Sequence, residues 1–199
     1  MKLPIYSAGL ILGLAAGTLH AQSTFPVNQF IPDGNPVGLA VTGTVTNFSN
    51  YSLVTSVTLG LNVSGGYNGD LYAELVSPDG GVVTLFNQPG VTTGNPFGFG
   101  GSGMNVTFSD LAVATLQSSP ETAGSTVTGQ YQPLTALNTL DYTHANGAWT
   151  LLIADEADGG GQATLVSWNL NLTTTVPEPS ILALLGISSA ALLARLRRR

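Results

Sequence analysis

Apolar and polar residues alternate along short segments of the chain, and this alternation constrains the fold more than any other feature of the sequence. In the segment VTLGLNVSG, residues 57–65, the apolar residues occupy every second position up to Val63. Successive side chains of a β-strand point to opposite faces, so this pattern predicts a half-buried strand. No window of 11 or more residues between 22 and 175 has a convincing helical period. The central chain is therefore predicted to be all-β.

Five further segments share this alternation, and strong turn sequences such as SPDGG and ADGGGQ separate several of them. We predict seven or eight short strands in a jelly-roll-like β-sandwich, with short apolar helices only in the terminal targeting segments. The Gly-rich segment 88–103 is predicted to be a surface loop. The predicted core positions are Val37, Leu39, Val41, Val45, Val57, Leu59, Leu61, Val63, Leu71, Ala73, Leu75, Met104, Val106, Phe108, Trp149, Leu151, Ile153, Val166, Trp168, Leu170 and Leu172.

Positive charge is confined to the two ends of the chain. No Lys or Arg occurs between residues 22 and 175, a span that contains ten acidic residues. Phosphate recognition depends on clustered Lys and Arg, so nucleic acid is excluded as a partner of this span. The absence of cysteine excludes disulfides, thiolate catalysis and Cys-ligated zinc.

The N-terminal residues 1–21 have the layout of a secretory signal peptide. Lys2 precedes an apolar run, and small residues lie before Gln22. This pattern predicts cleavage between Ala21 and Gln22. An uncleaved N-terminal anchor is the alternative.

The C-terminal residues 176–199 form a second targeting segment, predicted to hold a short transmembrane helix and an Arg tail. The apolar run 181–194 is 14 residues long, about 21 Å as a helix, against a hydrocarbon core of about 30 Å. Pro177, Glu178 and Pro179 precede it, and Arg195 and Arg197 to Arg199 follow. These three parts in this order resemble the PEP-CTERM sorting signal of bacterial exosortase substrates. The resemblance implies export to the cell envelope, recognition by an exosortase, and transient anchoring in the membrane before release at the surface or outside the cell. A generic tail anchor is the alternative.

The central residues 22–175 also resemble a known domain. The segments GDLYAELVSPDGG, VTFSD and NGAWTLLIADEADGGGQATLVSWNLNL occur in this order. They resemble the P domain, or P/Homo B domain, of proprotein convertases and bacterial subtilisin-like proteases. The resemblance implies a β-sandwich and an association with proteolysis. The large catalytic domain that such proteases carry is missing from this chain.

The sequence contains no recognisable catalytic constellation. A serine triad requires a His beside a Ser and a carboxylate. His144 is the only His after residue 21, and no GxSxG motif accompanies it. We therefore expect His144 to be a solvated loop residue and the protein not to be an enzyme.

Four acidic residues are candidate calcium ligands. Asp155, Glu156 and Asp158 cluster in a Gly-rich turn, and Asp70 opens a predicted strand. Ca²⁺ prefers carboxylate and carbonyl oxygens, and no Lys or Arg of this span competes for them. A solvated acidic turn that discourages edge-to-edge sheet pairing is the alternative.

Two functions remain open at this point. The preferred one is an exported, non-catalytic protein of the cell envelope or extracellular matrix, with the sandwich as a structural or binding module. Exopolysaccharide is one possible ligand, since Tyr51, Tyr67 and Tyr131 are aromatic residues that can stack on sugars. The alternative is an accessory module that associates with a subtilisin-like serine endopeptidase.

Overall fold

The computed structural model of the chain describes residues 18–175, and these form an all-β sandwich of two sheets. The predicted signal-peptide residues before Thr18, the sorting motif Pro177, Glu178 and Pro179, and the predicted C-terminal helix lie outside the described residues. The nine strands of the described part are β1 (Thr18–Phe30), β2 (Asn35–Val45), β3 (Leu53–Gly65), β4 (Leu71–Val76), β5 (Val82–Asn87), β6 (Met104–Phe108), β7 (Val127–Tyr131), β8 (Gly147–Asp155) and β9 (Ala163–Thr175).

One sheet has five strands in the order β1-β9-β3-β6-β7, and the other has four in the order β2-β8-β4-β5. All neighbouring strands are antiparallel except β6 and β7, which are parallel. The chain repeatedly passes from one sheet to the other, as it does in jelly-roll-like sandwiches. The predicted fold class is thus confirmed.

The core lies between the two sheets, where most of the predicted apolar positions are buried. Trp149 and Trp168 are the largest fully buried side chains. The Trp149 indole N–H donates to the Ala145 carbonyl at 3.0 Å. Trp168 packs against Phe25 with ring centroids 4.5 Å apart. Because β-strands of alternating polarity bury one face each, the two apolar faces close on one another.

Two of the predicted core positions are wrong: Val37 is 78% exposed, and Val166 is only half-buried. Leu39 and Val41 are half-buried and pack against the core. Val37 lies where the β2–β8 register shifts between Asn35 and Leu39. Val166 lies opposite a register shift between Asn62 and Val63, so that Leu165 is buried in its place. A β-bulge inserts an extra residue and reverses which face the following side chains occupy, and this changes the phase of the alternation.

The described residues contain nine strands, more than the seven or eight predicted, and three of them (β1, β5 and β7) lie outside the six alternating segments. Strand β1 is an edge strand with no fully buried residue, and its half-buried Ala21, Phe25 and Val27 pack against the core. It begins at Thr18, so Ala21 and Gln22, the predicted cleavage site, lie within it and pair with Leu172 and Asn171 of β9. Strand β5 has a run of apolar residues rather than strict alternation.

Helical structure in the described residues consists of three 3-10 turns of three or four residues. Within residues 18–175 there is no helix with the length and hydrophobicity needed to cross a membrane. The segment 88–103 contains no strand, as predicted, but Gly90, Gly98 and Gly103 within it are buried. It is thus an ordered loop packed on the sandwich.

Candidate functional site

One end of the sandwich brings three turns together, and most of the predicted metal ligands lie there. The β8–β9 loop is joined to the turn before β4 through a hydrogen bond from the Glu156 N–H to the Asp70 carbonyl at 2.8 Å. The β1–β2 turn is joined to the same loop because the Gly159 N–H donates to Asp33 Oδ1 at 3.2 Å. Residues distant in sequence therefore share one rim, which we call the acidic end.

Asp155 is the most deeply buried carboxylate of the acidic end. It is the last residue of β8, and it is fully buried, with Oδ2 lacking any hydrogen-bond partner. Burial raises the pKa of Asp155 to about 6, and the negative charges of Asp70 and Asp33 add to this increase. Hydrogen bonds from the backbone N–H groups of Ala157 and Gly34 act in the opposite direction. Asp155 is therefore a buried acid without a Lys or Arg partner among residues 18–175.

Asp70 lies next to Asp155 at the start of β4. It is only 9% exposed, and burial raises its pKa, with a further increase from the charge of Asp33. Its backbone N–H donates to the Tyr67 carbonyl at 3.1 Å, which closes the turn that holds the side chain in place. Asp33, which the sequence analysis did not select, thus belongs to the same group as Asp70 and Asp155.

The other two predicted ligands occupy different positions. Asp158 is exposed and packs on the β1–β2 turn, where a Cβ on Gly34 would lie 1.9 Å from Asp158 Oδ1. Gly34 also has a φ of +59°, so glycine is required there on both grounds. Glu156 is exposed. Burial is the largest cause of the raised pKa of Tyr72, and the charge of Glu156 adds to that increase.

No group of three or more His, Asp or Glu side chains within residues 18–175 is arranged to hold a metal ion. Asp33, Asp70 and Asp155 influence one another electrostatically, and the free Oδ2 of Asp155 is an oxygen of the kind that Ca²⁺ binds. Calcium binding at Asp70, Asp155, Glu156 and Asp158 stays a prediction.

An open cleft of about 400 Å³ lies beside these carboxylates. Its lining comes from the turn before β4, the loop 88–103 and the β8–β9 loop. The lining residues are Tyr67, Asp70, Phe97, Ala157, Asp158 and Gly160. Phe97 is 74% exposed. We call this feature the aromatic cleft.

The loop 88–103 holds Phe97 in the wall of the aromatic cleft. The Gly69 N–H donates to the Phe99 carbonyl, and the Asn68 N–H donates to the Gly101 carbonyl, both at 3.0 Å. Inside the loop, Asn95 Nδ2 donates to the Gly98 carbonyl at 2.8 Å. Backbone and side-chain hydrogen bonds thereby fix this Gly-rich segment, and a periodicity analysis does not detect them.

Behind this loop, the side chain of Asn68 is buried and donates from Nδ2 to Glu121 Oε2 at 2.9 Å and to the Gly103 carbonyl at 3.0 Å. Burial raises the pKa of Glu121, and hydrogen bonds from Asn68 and Gly101 oppose the increase. These contacts anchor the turn that carries Tyr67 and Asp70.

His144 lies away from both features and is paired with Asp79. Its Nδ1 is 2.9 Å from Asp79 Oδ1, its backbone N–H donates to Asp79 Oδ2 at 2.8 Å, and its side chain is 58% exposed. Asp141, the nearer carboxylate in sequence, instead lines a separate cleft of about 270 Å³ together with Asp110. His144 is thus paired with Asp79 at the solvent-exposed surface, although Asp141 is the carboxylate nearer to it in sequence.

In a comparison with protein families, residues 175–199 match the PEP-CTERM protein-sorting motif. The motif marks an exported protein that is sorted to the cell envelope. No family model of a P domain matches the chain. No curated protein matches it at a significant level.

Solved structures with the same fold include a chain in the crystal structure of the Aeromonas sobria serine protease in complex with its chaperone. The identity is 17% and the TM-score is 0.50, over 80% of this chain and 27% of that chain. The crystal structure of the serine protease of Aeromonas sobria matches at 15% identity and a TM-score of 0.49, over 82% of this chain and 28% of that one. The chain therefore spans about a quarter of the length of these structures. The similarity to the first structure is one of fold.

Proposed function

We propose that this chain is an exported, non-catalytic protein of the cell envelope or extracellular matrix, and that its P-domain-like sandwich is a binding module. The observation that carries the proposal is the aromatic cleft, in which the exposed ring of Phe97 and the carboxylate of Asp158 lie on a rim of ordered loops. Concave sites that combine apolar rings with a few polar groups are the usual form of ligand sites. The sorting motif at residues 175–199 supports the location.

The environment of His144 supports a non-catalytic role. Its ring is hydrogen-bonded to Asp79 and lies largely in solvent, whereas a general base must reach a nucleophile and work in a protected site. We expect the purified chain to have no peptidase activity and His144→Ala to change nothing in that assay. Turnover that His144→Ala abolishes would overturn the non-catalytic assignment.

Sorting is tested in the producing cells by following the tagged full chain in envelope and extracellular fractions. Replacing Pro177, Glu178 and Pro179 with Ala should leave the protein unprocessed in the membrane, because the exosortase no longer recognises it. A variant with Ala at Ser180 and Ser188 is the control. Unchanged processing of the triple variant would contradict recognition through this motif.

Binding is tested by incubating the purified chain with extracellular matrix isolated from the same cells. We expect the matrix to retain the wild-type chain and Tyr51→Ala, and to release Phe97→Ala. Tyr51 is 77% exposed and does not line the cleft. Tyr51→Ala is therefore the matched control, because it also removes an exposed aromatic ring. Equal retention of both variants would remove the aromatic cleft as the binding site.

We further propose that Ca²⁺ binds at the acidic end, with Asp70 and Asp155 as ligands. The fully buried Asp155, with its unpartnered Oδ2, supports this proposal. Asp33 is a better candidate for the third ligand than Glu156, because its charge acts on both Asp70 and Asp155. Binding requires these side chains to move toward one point.

The second candidate function is an accessory module of a subtilisin-like serine endopeptidase. The shared fold with a chain of the Aeromonas sobria protease and chaperone complex favours it. It predicts that the chain co-purifies with a serine endopeptidase from the producing cells and raises that enzyme's melting temperature. Absence of an endopeptidase from the purified material would contradict this second candidate and leave the binding module as the proposed function.

A further inference from the structure

The aromatic cleft offers a ligand two kinds of surface. Tyr67 and Phe97 contribute aromatic rings, and Asp70 and Asp158 contribute carboxylates. Gly160 lies close against two of these residues, since a Cβ at that position would lie 2.5 Å from Tyr67 Cβ and 2.9 Å from Asp70 Oδ2. The backbone at Gly160 has a φ of +70°, which also favours glycine. The β8–β9 loop is thus kept thin where it passes the cleft.

Asp70 is the less exposed of the two carboxylates that line the cleft. It is 9% exposed, and burial and the charge of Asp33 raise its pKa without an opposing hydrogen bond. An ionised carboxylate can only accept hydrogen bonds. A ligand that binds both Asp70 and Asp158 must therefore carry several donors, and hydrogen bonds to charged groups are stronger than those between neutral groups.

The charge of the cleft is not balanced from within the domain. Asp33, Asp70, Asp155 and Asp158 lie at this end, and residues 22–175 contain no Lys or Arg. The potential over the cleft is therefore negative and attracts a cation. The aromatic faces add to this attraction, because the face of a ring is also negative.

We propose that the aromatic cleft binds a polysaccharide containing amino sugars with free amines, in which a protonated amine pairs with Asp70 and Asp158 and the sugar ring stacks on Phe97. The apolar C–H face of a sugar ring fits an aromatic ring, and its hydroxyls are the additional donors. This inference rests on the proposed binding function and names the ligand class for it.

A Lys or Arg side chain of a protein partner is a weaker fit to the same cleft. The cleft is about 400 Å³, which is larger than one alkyl stem with a charged head requires. Two carboxylates beside two rings suit a ligand that carries donors around an apolar face, as a sugar does. Lys-rich peptide is therefore included as a competing ligand in the test.

The test measures binding of the purified full chain, in detergent and with a calcium chelator, to two hexasaccharides of the same length. One is the hexamer of β-1,4-linked glucosamine, and the other is the hexamer of N-acetylglucosamine, which lacks the positive charge. We expect the glucosamine hexamer to bind at least about tenfold more tightly, because each charge-assisted hydrogen bond contributes substantially. Lys-rich peptide of equal charge should bind more weakly than the glucosamine hexamer.

Three variants and one control assign the binding to the cleft. Asp70→Asn and Asp158→Asn should each weaken glucosamine binding by about tenfold, and Phe97→Ala by at least about threefold. The control is Glu156→Gln, which makes the same change in charge two residues from Asp158 on an exposed side chain outside the cleft lining. Because Phe97 is exposed, its replacement leaves the fold intact, and a melting curve checks this.

The outcomes separate this inference from the proposed function. Equal binding of the two hexasaccharides, tighter binding of the Lys-rich peptide, or equal weakening by Glu156→Gln would each overturn the amino-sugar inference. Retention of the chain by isolated matrix, together with no binding of glucosamine hexamer, would also overturn it while leaving the proposed binding function in place. Loss of matrix retention as well would overturn both.

Discussion

The carbonyl of Asp70 accepts a hydrogen bond from the Glu156 N–H at 2.8 Å, and this bond joins the turn before β4 to the loop after β8. This hydrogen bond directly follows the last pair of the β4–β8 ladder, Leu71 with Asp155. As a result, the carboxylates of Asp70 and Asp155 face the same end of the sandwich without a cationic partner from residues 22–175. Several measurable properties follow from this arrangement.

Asp155→Asn is expected to stabilise the protein at pH 7 in calcium-free buffer. The folded-state pKa of Asp155 is raised from 3.8 to about 6. Between these values the native state holds the proton more tightly than the unfolded state, so stability decreases as pH rises through this window. After allowance for solvent screening, the gain at pH 7 is about 1–2 kcal/mol.

Urea unfolding of wild type and Asp155→Asn between pH 3 and pH 8 measures this effect. The two proteins should differ little near pH 3, where Asp155 is protonated in both states, and diverge above pH 4. A variant that is destabilised by the same amount at every pH would contradict the assignment of a buried, charged Asp155.

Asp79→Asn should show the opposite pH dependence. The pKa of Asp79 is lowered, first by the hydrogen bond from the His144 backbone N–H and then by that from its ring. The stability that Asp79 contributes is therefore present above pH 3.8 and is lost as pH falls through its lower folded-state pKa.

In the same urea series, the loss of stability caused by Asp79→Asn should be larger at pH 6 than at pH 2.5. His144→Ala, which keeps the backbone N–H, should produce only part of the loss. A loss that grows toward low pH would show that the Asp79 carboxylate is not held in this pair.

Calcium is expected to raise the melting temperature through the acidic end. At a concentration ten times Kd, a ligand specific to the native state stabilises by about 1.4 kcal/mol, which is a few degrees for a domain of this size. Asp33→Asn and Asp155→Asn should abolish the rise, and Glu156→Gln should preserve it. Magnesium is the comparison ion, since it demands stricter octahedral geometry.

A melting temperature that Ca²⁺ does not change at millimolar concentration would remove the calcium proposal. Since Asp70 belongs to both proposed sites, Ca²⁺ should also weaken binding of the glucosamine hexamer. A rise that survives Asp33→Asn and disappears in Glu156→Gln would favour the ligand set predicted from sequence.

The two buried tryptophans should respond differently to replacement by phenylalanine. The Trp149 indole N–H donates to the Ala145 carbonyl, whereas the buried Trp168 Nε1 has no hydrogen-bond partner. Both replacements lose volume, but only Trp149→Phe leaves a carbonyl without its donor. Trp149→Phe should therefore cost about 1–2 kcal/mol more in free energy of unfolding than Trp168→Phe. Equal losses in denaturant titrations would show that the Trp149 hydrogen bond contributes nothing measurable.

Much of the fold was predictable from local patterns. The alternation in residues 57–63 predicts β3, and all four of its apolar positions are buried. The pattern failed at Val37 and Val166, where bulges in the ladders with β8 and β3 change its phase. It also missed β1, because an edge strand needs little apolar surface and its pairing with β9 involves residues more than 130 positions away.

The candidate site was predictable only in part. Asp70 and Asp155 were selected from the sequence, and the structure brings them together. Asp33 was missed because it lies in a different turn, and Phe97 was missed because it lies in a Gly-rich loop without periodicity. Glu156 was also selected from the sequence, but it follows the end of β8, is exposed, and its charge acts on Tyr72.

The sequence by itself determined the all-β class, the sorting motif at residues 175–199 and the absence of positive charge between residues 22 and 175. Each of these depends on residue type and on spacing along the chain. The tertiary structure alone decided which turns meet at the acidic end and that Tyr67 and Phe97 enclose a cleft with Asp70 and Asp158. Those contacts depend on which strands pair and where the ladders bulge, and these are set by the packing of two whole sheets rather than by any single segment.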